Sequence, residues 1–374
     1  MANPNPLHLL KQQGQSIWLD NLTRRMLREG FLRRLIEEDG ISGVTSNPAI
    51  FEKAMTSGTD YDQAIRELAD MGLPAPAIYE AMAVRDIQDA CDLLRPTYDR
   101  TNGTDGFVSL EVSPHGARSA DATIEEARRL WTSVSRPNAF IKIPGTAEGV
   151  PAIQHCLAEG ININITLLFS LDAHKQVMDA HLAALEERAR IGQPLATLAS
   201  VASFFLSRID TLVDKKLDAL NSPEAKALRG RAAIASAKIA YENWQKSYTG
   251  QRWESLRSLG ARPQKPLWAS TSTKDPAYPD VKYVETLIGP DTINTLPEQT
   301  IDAFRDHGRV TGDTLLENVD KEYEVLNDLE RLGISMKAVT DTLVEEGITK
   351  FTEPYDKLIG SLEEKRKALS PASR

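Results

Sequence analysis

Eight short apolar runs separated by helical patterns constrain what this chain can fold into more than any other feature. The runs cover residues 16–19, 43–45, 106–110, 139–143, 161–168, 199–203, 266–270 and 291–295. Several carry apolar residues on both faces, as strands buried inside a parallel sheet do. Between them apolar residues recur at three- and four-residue spacing, for example over 60–71, 123–134 and 170–190, which is the period of an amphipathic helix. Strands alternating with helices predict a closed (β/α)8 TIM barrel. An open doubly wound sheet would favour a glycine-rich turn after the first strand, but Asp20-Asn21-Leu22-Thr23 follows it, and no P-loop motif occurs.

The 374 residues are expected to form one barrel domain with helical additions. Extra helical pattern lies at 75–100, between the second and third strands, and at 222–262, between the sixth and seventh. Both read as insertions. The segment 310–367 reads as charged helices packed on the barrel, with Leu315, Val319, Tyr323 and Leu326 on one face. Residues 370–374 are expected to fray.

A formal net charge of −9 argues against a nucleic-acid surface, which needs clustered positive charge. It leaves room for a small cationic pocket. Cys91 and Cys156 form no C-x-x-C pair and read as buried small hydrophobes. The first eight residues carry no secretory pattern, and no apolar stretch approaches the roughly 20 residues of a membrane-spanning helix. A soluble cytoplasmic protein is the expectation, as a monomer or homodimer.

In such a barrel the reactive groups sit at the C-terminal ends of strands. The polar residues there are Asp20, Thr45 with Asn47, Glu111, Lys142, Asn164 with Thr166, Ser203 with Arg208, and Ser270 with Lys274. No histidine falls at a strand end, and no metal-ligand cluster is evident; His115, His155, His174 and His181 read as surface or helix-face residues. Lys142 lies inside an apolar run, where burial favours the free amine that attacks carbonyls. A lysine paired with a buried carboxylate is the competing reading. Glu111, within an apolar strand, serves either reading, as the lysine's partner or as a proton-transfer group. Asp20 is equally readable as the N-cap of a helix over 21–28. Arg208 is readable as a phosphate ligand or as a solvated helix-surface arginine.

Three segments resemble the signatures of the transaldolase family, in order and spacing. They are Gly43-Val44-Thr45-Ser46-Asn47-Pro48, Phe140-Ile141-Lys142-Ile143-Pro144, and Asn164-Ile165-Thr166-Leu167-Leu168-Phe169-Ser170. The length and the Trp18-Leu19-Asp20-Asn21-Leu22 opening are similar to a longer bacterial subfamily. The resemblance implies a (β/α)8 barrel with a Schiff-base lysine, Lys142, on the fourth strand. Asp20 then matches the acid/base aspartate, Glu111 the glutamate that works with a water, and Thr166 the threonine that holds that water. Asn47 and Asn164 match asparagines that bind substrate hydroxyls, with Thr45 shaping the pocket beside the first. Ser203 and Arg208 match the phosphate site, and Phe205 an aromatic that shapes the pocket. The family's second phosphate-binding arginine, after strand seven, is absent, and Lys274 is the candidate replacement.

The implied reaction converts sedoheptulose 7-phosphate and glyceraldehyde 3-phosphate into erythrose 4-phosphate and fructose 6-phosphate, in the non-oxidative pentose phosphate pathway. It needs no metal or organic cofactor, because the lysine imine is the electron sink. Two alternatives stand beside it. One is a related class I lysine aldolase such as fructose 6-phosphate aldolase, with Phe205 as the position that would separate the two. The other is a non-catalytic sugar-phosphate-binding barrel.

Overall fold

The computed structural model describes residues 5–369. The expected fraying of 370–374 and the start of the N-terminal reading lie outside the described residues. All eight expected strands form, and they close in chain order into a parallel barrel. They are β1 (Gln15–Leu19), β2 (Gly43–Val44), β3 (Val108–Glu111), β4 (Ala139–Pro144), β5 (Ile163–Leu168), β6 (Ser200–Phe205), β7 (Lys265–Ala269) and β8 (Thr292–Leu296). β1 closes the barrel by pairing with β8 over its full length, from Gln15 opposite Thr292 to Leu19 opposite Leu296.

The barrel interior is a packed core with polar chemistry added toward one end. Trp18 and Phe140 pack with Phe107, the last two rings stacked at 4.3 Å between centroids. A Cβ on Gly43 would lie 2.3 Å from the Trp18 ring, so only glycine lets β2 approach it. Side chains two apart on a strand share a face. Asp20 therefore follows Trp18, and Lys142 follows Phe140, one layer closer to the C-terminal rim.

The segments read as insertions hold part of the barrel's own outer ring. The Ala75–Arg100 helix packs directly on β3, and the Ala232–Ser247 helix packs on β7 and on the Leu171–Arg190 helix. Both bury too much surface to be peripheral. Local pattern cannot tell a ring helix from an added one, because both need an apolar stripe.

The C-terminal segment is helical as expected, but its buried face differs. In the Val319–Arg331 helix the buried residues are Glu322, Val325 and Leu329, whereas Tyr323 is exposed and donates to Glu242. Leu315 is buried in the turn before that helix. The Met336–Leu369 helix then crosses to the far side of the ring and packs on the Pro48–Thr56 helix and on β5. At Gly347 it lies close to the Leu167 side chain, which an added Cβ would meet at 2.9 Å. Among the described residues no helix is long and apolar enough to cross a membrane.

Candidate active site

Register places Glu111 beside Lys142 and Lys142 beside Asn164 on adjacent parallel strands, so all three side chains point to the same side. The Lys142 ammonium lies 3.2 Å from Glu111 Oε2, and both side chains are almost wholly buried. Nζ also donates to the carbonyl of Ser46 at 3.1 Å. The Phe351 ring, from the C-terminal helix, covers it at 5.6 Å. Burial pushes the Glu111 carboxyl up to about 7, with the Lys142 charge opposing that rise. A carboxyl of that strength exchanges protons readily in both directions near neutral pH.

This elevation has a consequence for stability. An acid whose pKa rises on folding holds its proton in the folded state while the unfolded chain releases it. Folding therefore loses stability as pH climbs from the unfolded value of 4.5 toward about 7. The loss is on the order of 3 kcal/mol. Glu111→Gln cannot titrate, so the stability of wild type relative to the variant should fall by about that much between pH 4.5 and 7.5. Urea unfolding at the two pH values measures it; a constant gap would show that Glu111 is not elevated.

Asp20 is not a helix cap. The helix begins at Arg24, and Thr23 caps it by accepting from Met26 N–H. The Asp20 backbone N–H instead continues the β-ladder to Leu296, and its carboxylate accepts from the Thr45 hydroxyl at 2.9 Å. Thr45 in turn meets the Thr295 hydroxyl at 2.7 Å. Although Asp20 keeps some open surface in the cavity, burial of its carboxylate raises its pKa, against the nearby charges of Lys142, Arg208 and Lys274.

The amides and hydroxyls divide into two groups. Asn47 opens into the cavity while its carbonyl oxygen caps the Pro48–Thr56 helix through Ile50 N–H, leaving the amide nitrogen as the group for a ligand. Asn164 lies below the cavity wall: its amide donates to Ser109 at 2.9 Å, and its oxygen accepts from Ser203 at 2.7 Å. Ser203 itself reaches the cavity. Thr166 is fully buried, and its hydroxyl has no partner among the described residues. Beside it Leu167 takes φ 59°, where the β5–β6 register shifts. A leucine in that region costs on the order of 1–3 kcal/mol, strain that often marks functional sites.

At the other end of the cavity Arg208 follows β6 at the start of the Ser207–Leu220 helix. It forms no ion pair among the described residues, and one guanidinium nitrogen is buried without a partner. It lies over the Phe205 ring at 5.3 Å. Desolvation weakens its hold on its proton. Lys274 lines the same space and donates to Ser272 at 2.6 Å. The residue is exposed overall, yet its ammonium pKa is lowered by partial desolvation, then by Arg208. Two cations converge here, and neither forms an ion pair among the described residues, although the charges of Glu346 and Asp20 act on Arg208 and that of Asp20 on Lys274; the arrangement suits a phosphate.

The cavity has a volume of about 270 Å³. Asp20, Lys142, Ser203, Arg208 and Lys274 all open into it. Sequence reading missed Phe351, Thr295, Thr271 and Gln299, which share the lining. Thr295 ends the eighth expected strand and was findable by the rule that found the others. Phe351 carried no such signal. Among the described residues no cluster of His, Cys, Asp or Glu is arranged to hold a metal ion. His174 and His181 are not surface groups: both are fully buried, and burial pushes their pKa values down to about 4 and about 3. Cys91 and Cys156 are buried, as expected.

Fold and site together define a (β/α)8 barrel with a buried strand-borne lysine and carboxylate at its C-terminal end, and an arginine that forms no ion pair among the described residues lining the same cavity as the lysine. A family model described as Transaldolase/Fructose-6-phosphate aldolase matches residues 17–362, and the chain belongs to that family. It is similar to a transaldolase of Parafrankia sp. (strain EAN1pec), 48% identical over 96% of this chain and 97% of the relative. The transaldolase of Thermobifida fusca (strain YX) is 48% identical over 95% and 96%. Transaldolase 2 of Nostoc sp. (strain PCC 7120 / SAG 25.82 / UTEX 2576) is 47% identical over 98% and 99%.

Proposed function

We propose that this chain is a transaldolase that moves a dihydroxyacetone unit between sugar phosphates through an imine on Lys142. The observation that carries the reading is one cavity holding the Lys142 amine, the Asp20 carboxylate and the unpaired Arg208 guanidinium, with Glu111 3.2 Å from the lysine. In the scheme, neutral Lys142 attacks the ketose C2. Glu111 gives a proton to the departing hydroxyl, and water leaves as the iminium forms. Asp20 takes the proton of the C4 hydroxyl, the C3–C4 bond breaks, and its electrons move to the iminium. The aldose departs and a three-carbon enamine remains. The acceptor aldehyde then adds by the reverse steps.

Arg208 and Lys274 hold the phosphate, and that remote binding orients the bond to be broken. The orphan hydroxyl of Thr166 supports its reading as the holder of a water beside Glu111. Asn47 takes a substrate hydroxyl. Asn164 acts mainly by holding Ser203, given how its own groups are engaged. Sedoheptulose 7-phosphate and fructose 6-phosphate are the proposed donors, with the pentose phosphate pathway in the cytoplasm as the setting. A monomer or homodimer suffices, since one chain supplies every group named. The relatives' names favour transfer over release of free dihydroxyacetone.

Treatment with fructose 6-phosphate and borohydride should leave a covalent three-carbon or hexose adduct on Lys142, located by peptide mass spectrometry. An unmodified Lys142 would overturn the reading. Arg208→Ala should lower kcat/KM for fructose 6-phosphate about 10²-fold, the worth of a charge-assisted phosphate contact. Cleavage of unphosphorylated fructose should change little, and equal losses on both substrates would count against a phosphate role.

A further inference from the structure

Glu111 borders a second space. A cavity of about 560 Å³ lies outside the barrel between β3, the Ala75–Arg100 and Ala120–Val134 helices, and the C-terminal helix. Glu111 is part of its wall and is not part of the wall of the substrate cavity. Oε2 is buried against the lysine, and the Glu111 charge acts on the Tyr79 phenol in the wall of this outer space.

The space is polar enough to hold water, which needs several hydrogen-bonding partners and room for itself. Tyr79, Tyr355, Glu126, Glu80 and Arg129 line it. Tyr79 and Tyr355 meet edge-to-face at 5.6 Å. Glu126 accepts from Ser113 N–H at 3.0 Å, two residues along from Glu111, and Arg129 pairs with Glu80 and Glu126. Burial and the neighbouring Tyr355 and Glu111 charges hold the Tyr79 phenol protonated, so it remains a donor.

We propose that this cavity is a solvent port for Glu111, through which water enters and leaves the imine chemistry from the flank of the barrel while a sugar phosphate fills the mouth. The inference rests on the imine reading above. When the carbinolamine collapses, its C2–O bond breaks, protonated Glu111 donates to the departing hydroxyl, and the nitrogen lone pair forms the C=N bond. The products are an iminium, a carboxylate and one water. Release of the transferred unit runs the same step backward and consumes one water. The port gives that water a path that does not cross the substrate. Tyr79 is the positioning residue that orders it.

The test follows the oxygen. Fructose 6-phosphate labelled with ¹⁸O at C2 is incubated without acceptor, and label loss to solvent is compared with imine formed, the latter counted by borohydride quench. Ala77, on the cavity wall, is replaced by phenylalanine to fill the port. Tyr79→Phe removes only the hydroxyl and keeps the test open if the larger side chain disturbs folding. With the port obstructed, the expelled water returns to the same carbon. Label loss per imine should then fall about tenfold in Ala77→Phe, and measurably in Tyr79→Phe. An unchanged ratio in both variants overturns the port. Absence of any adduct in the wild-type enzyme would instead sink the imine reading on which the port depends.

Discussion

Lys142→Met is expected to abolish turnover, with kcat/KM falling by at least about 10⁴-fold, and to abolish borohydride trapping by fructose 6-phosphate. No other group in the cavity can replace the lost amine: Lys274 is the other lysine in its wall, and it sits with Ser272 at the phosphate end. The substitution also removes the partner of a buried carboxylate. Breaking such a pair usually costs about 3–5 kcal/mol when the remaining charge has no escape. Here Glu111 has one, because its carboxyl is already pushed up to about 7 and can take a proton. Lys142→Met should therefore stay folded near pH 6 and lose stability toward pH 8. Thermal unfolding at the two pH values, run beside the activity assay, separates lost chemistry from lost structure. Residual trapping in the variant would move the imine to another lysine.

Asp20→Asn is expected to lower kcat by about 10²–10⁴-fold, the usual contribution of a positioned general base. Borohydride trapping should survive, because imine formation draws on Lys142 and Glu111 and precedes the step assigned to Asp20. The substitution keeps an oxygen to accept from Thr45, so the hydroxyl pair Thr45–Thr295 is retained. The acidic limb of the pH–rate profile should also change, since burial raises the Asp20 pKa and it must be ionised to take the C4 proton. Loss of trapping together with turnover would assign Asp20 to imine formation. An unchanged kcat would remove it from the mechanism.

The pairing of Lys142 with Glu111 fits a structural ion pair as well as a catalytic one. Three surrounding facts separate the two. Asp20 is free of the capping role that its sequence position allowed, because Thr23 takes it. Arg208 makes no ion pair among the described residues and keeps a buried guanidinium nitrogen without a partner, where a helix-surface arginine would find water or a carboxylate. The lysine opens into a cavity shared with both.

Sequence alone determined the barrel and picked out most of the polar groups that the structure gathers at the ends of its strands. Strand and helix periods are properties of each segment's own burial, so eight strands were readable one at a time. The rule that reactive groups follow strand ends then selected Asp20, Glu111, Lys142 and Arg208 without knowledge of any contact. Tertiary structure decided what lies across from them. Phe351 covers Lys142 because the C-terminal helix, far away in the chain, docks beside the strand ends. Asn164 holds Ser203 and Ser109 only because barrel closure fixes their strands side by side. Glu111 gains its outer cavity from the helices on either side of its strand in the chain together with the distant C-terminal helix. A local pattern records which face of a segment is buried. What that face is buried against depends on how the closed barrel and its helices dock.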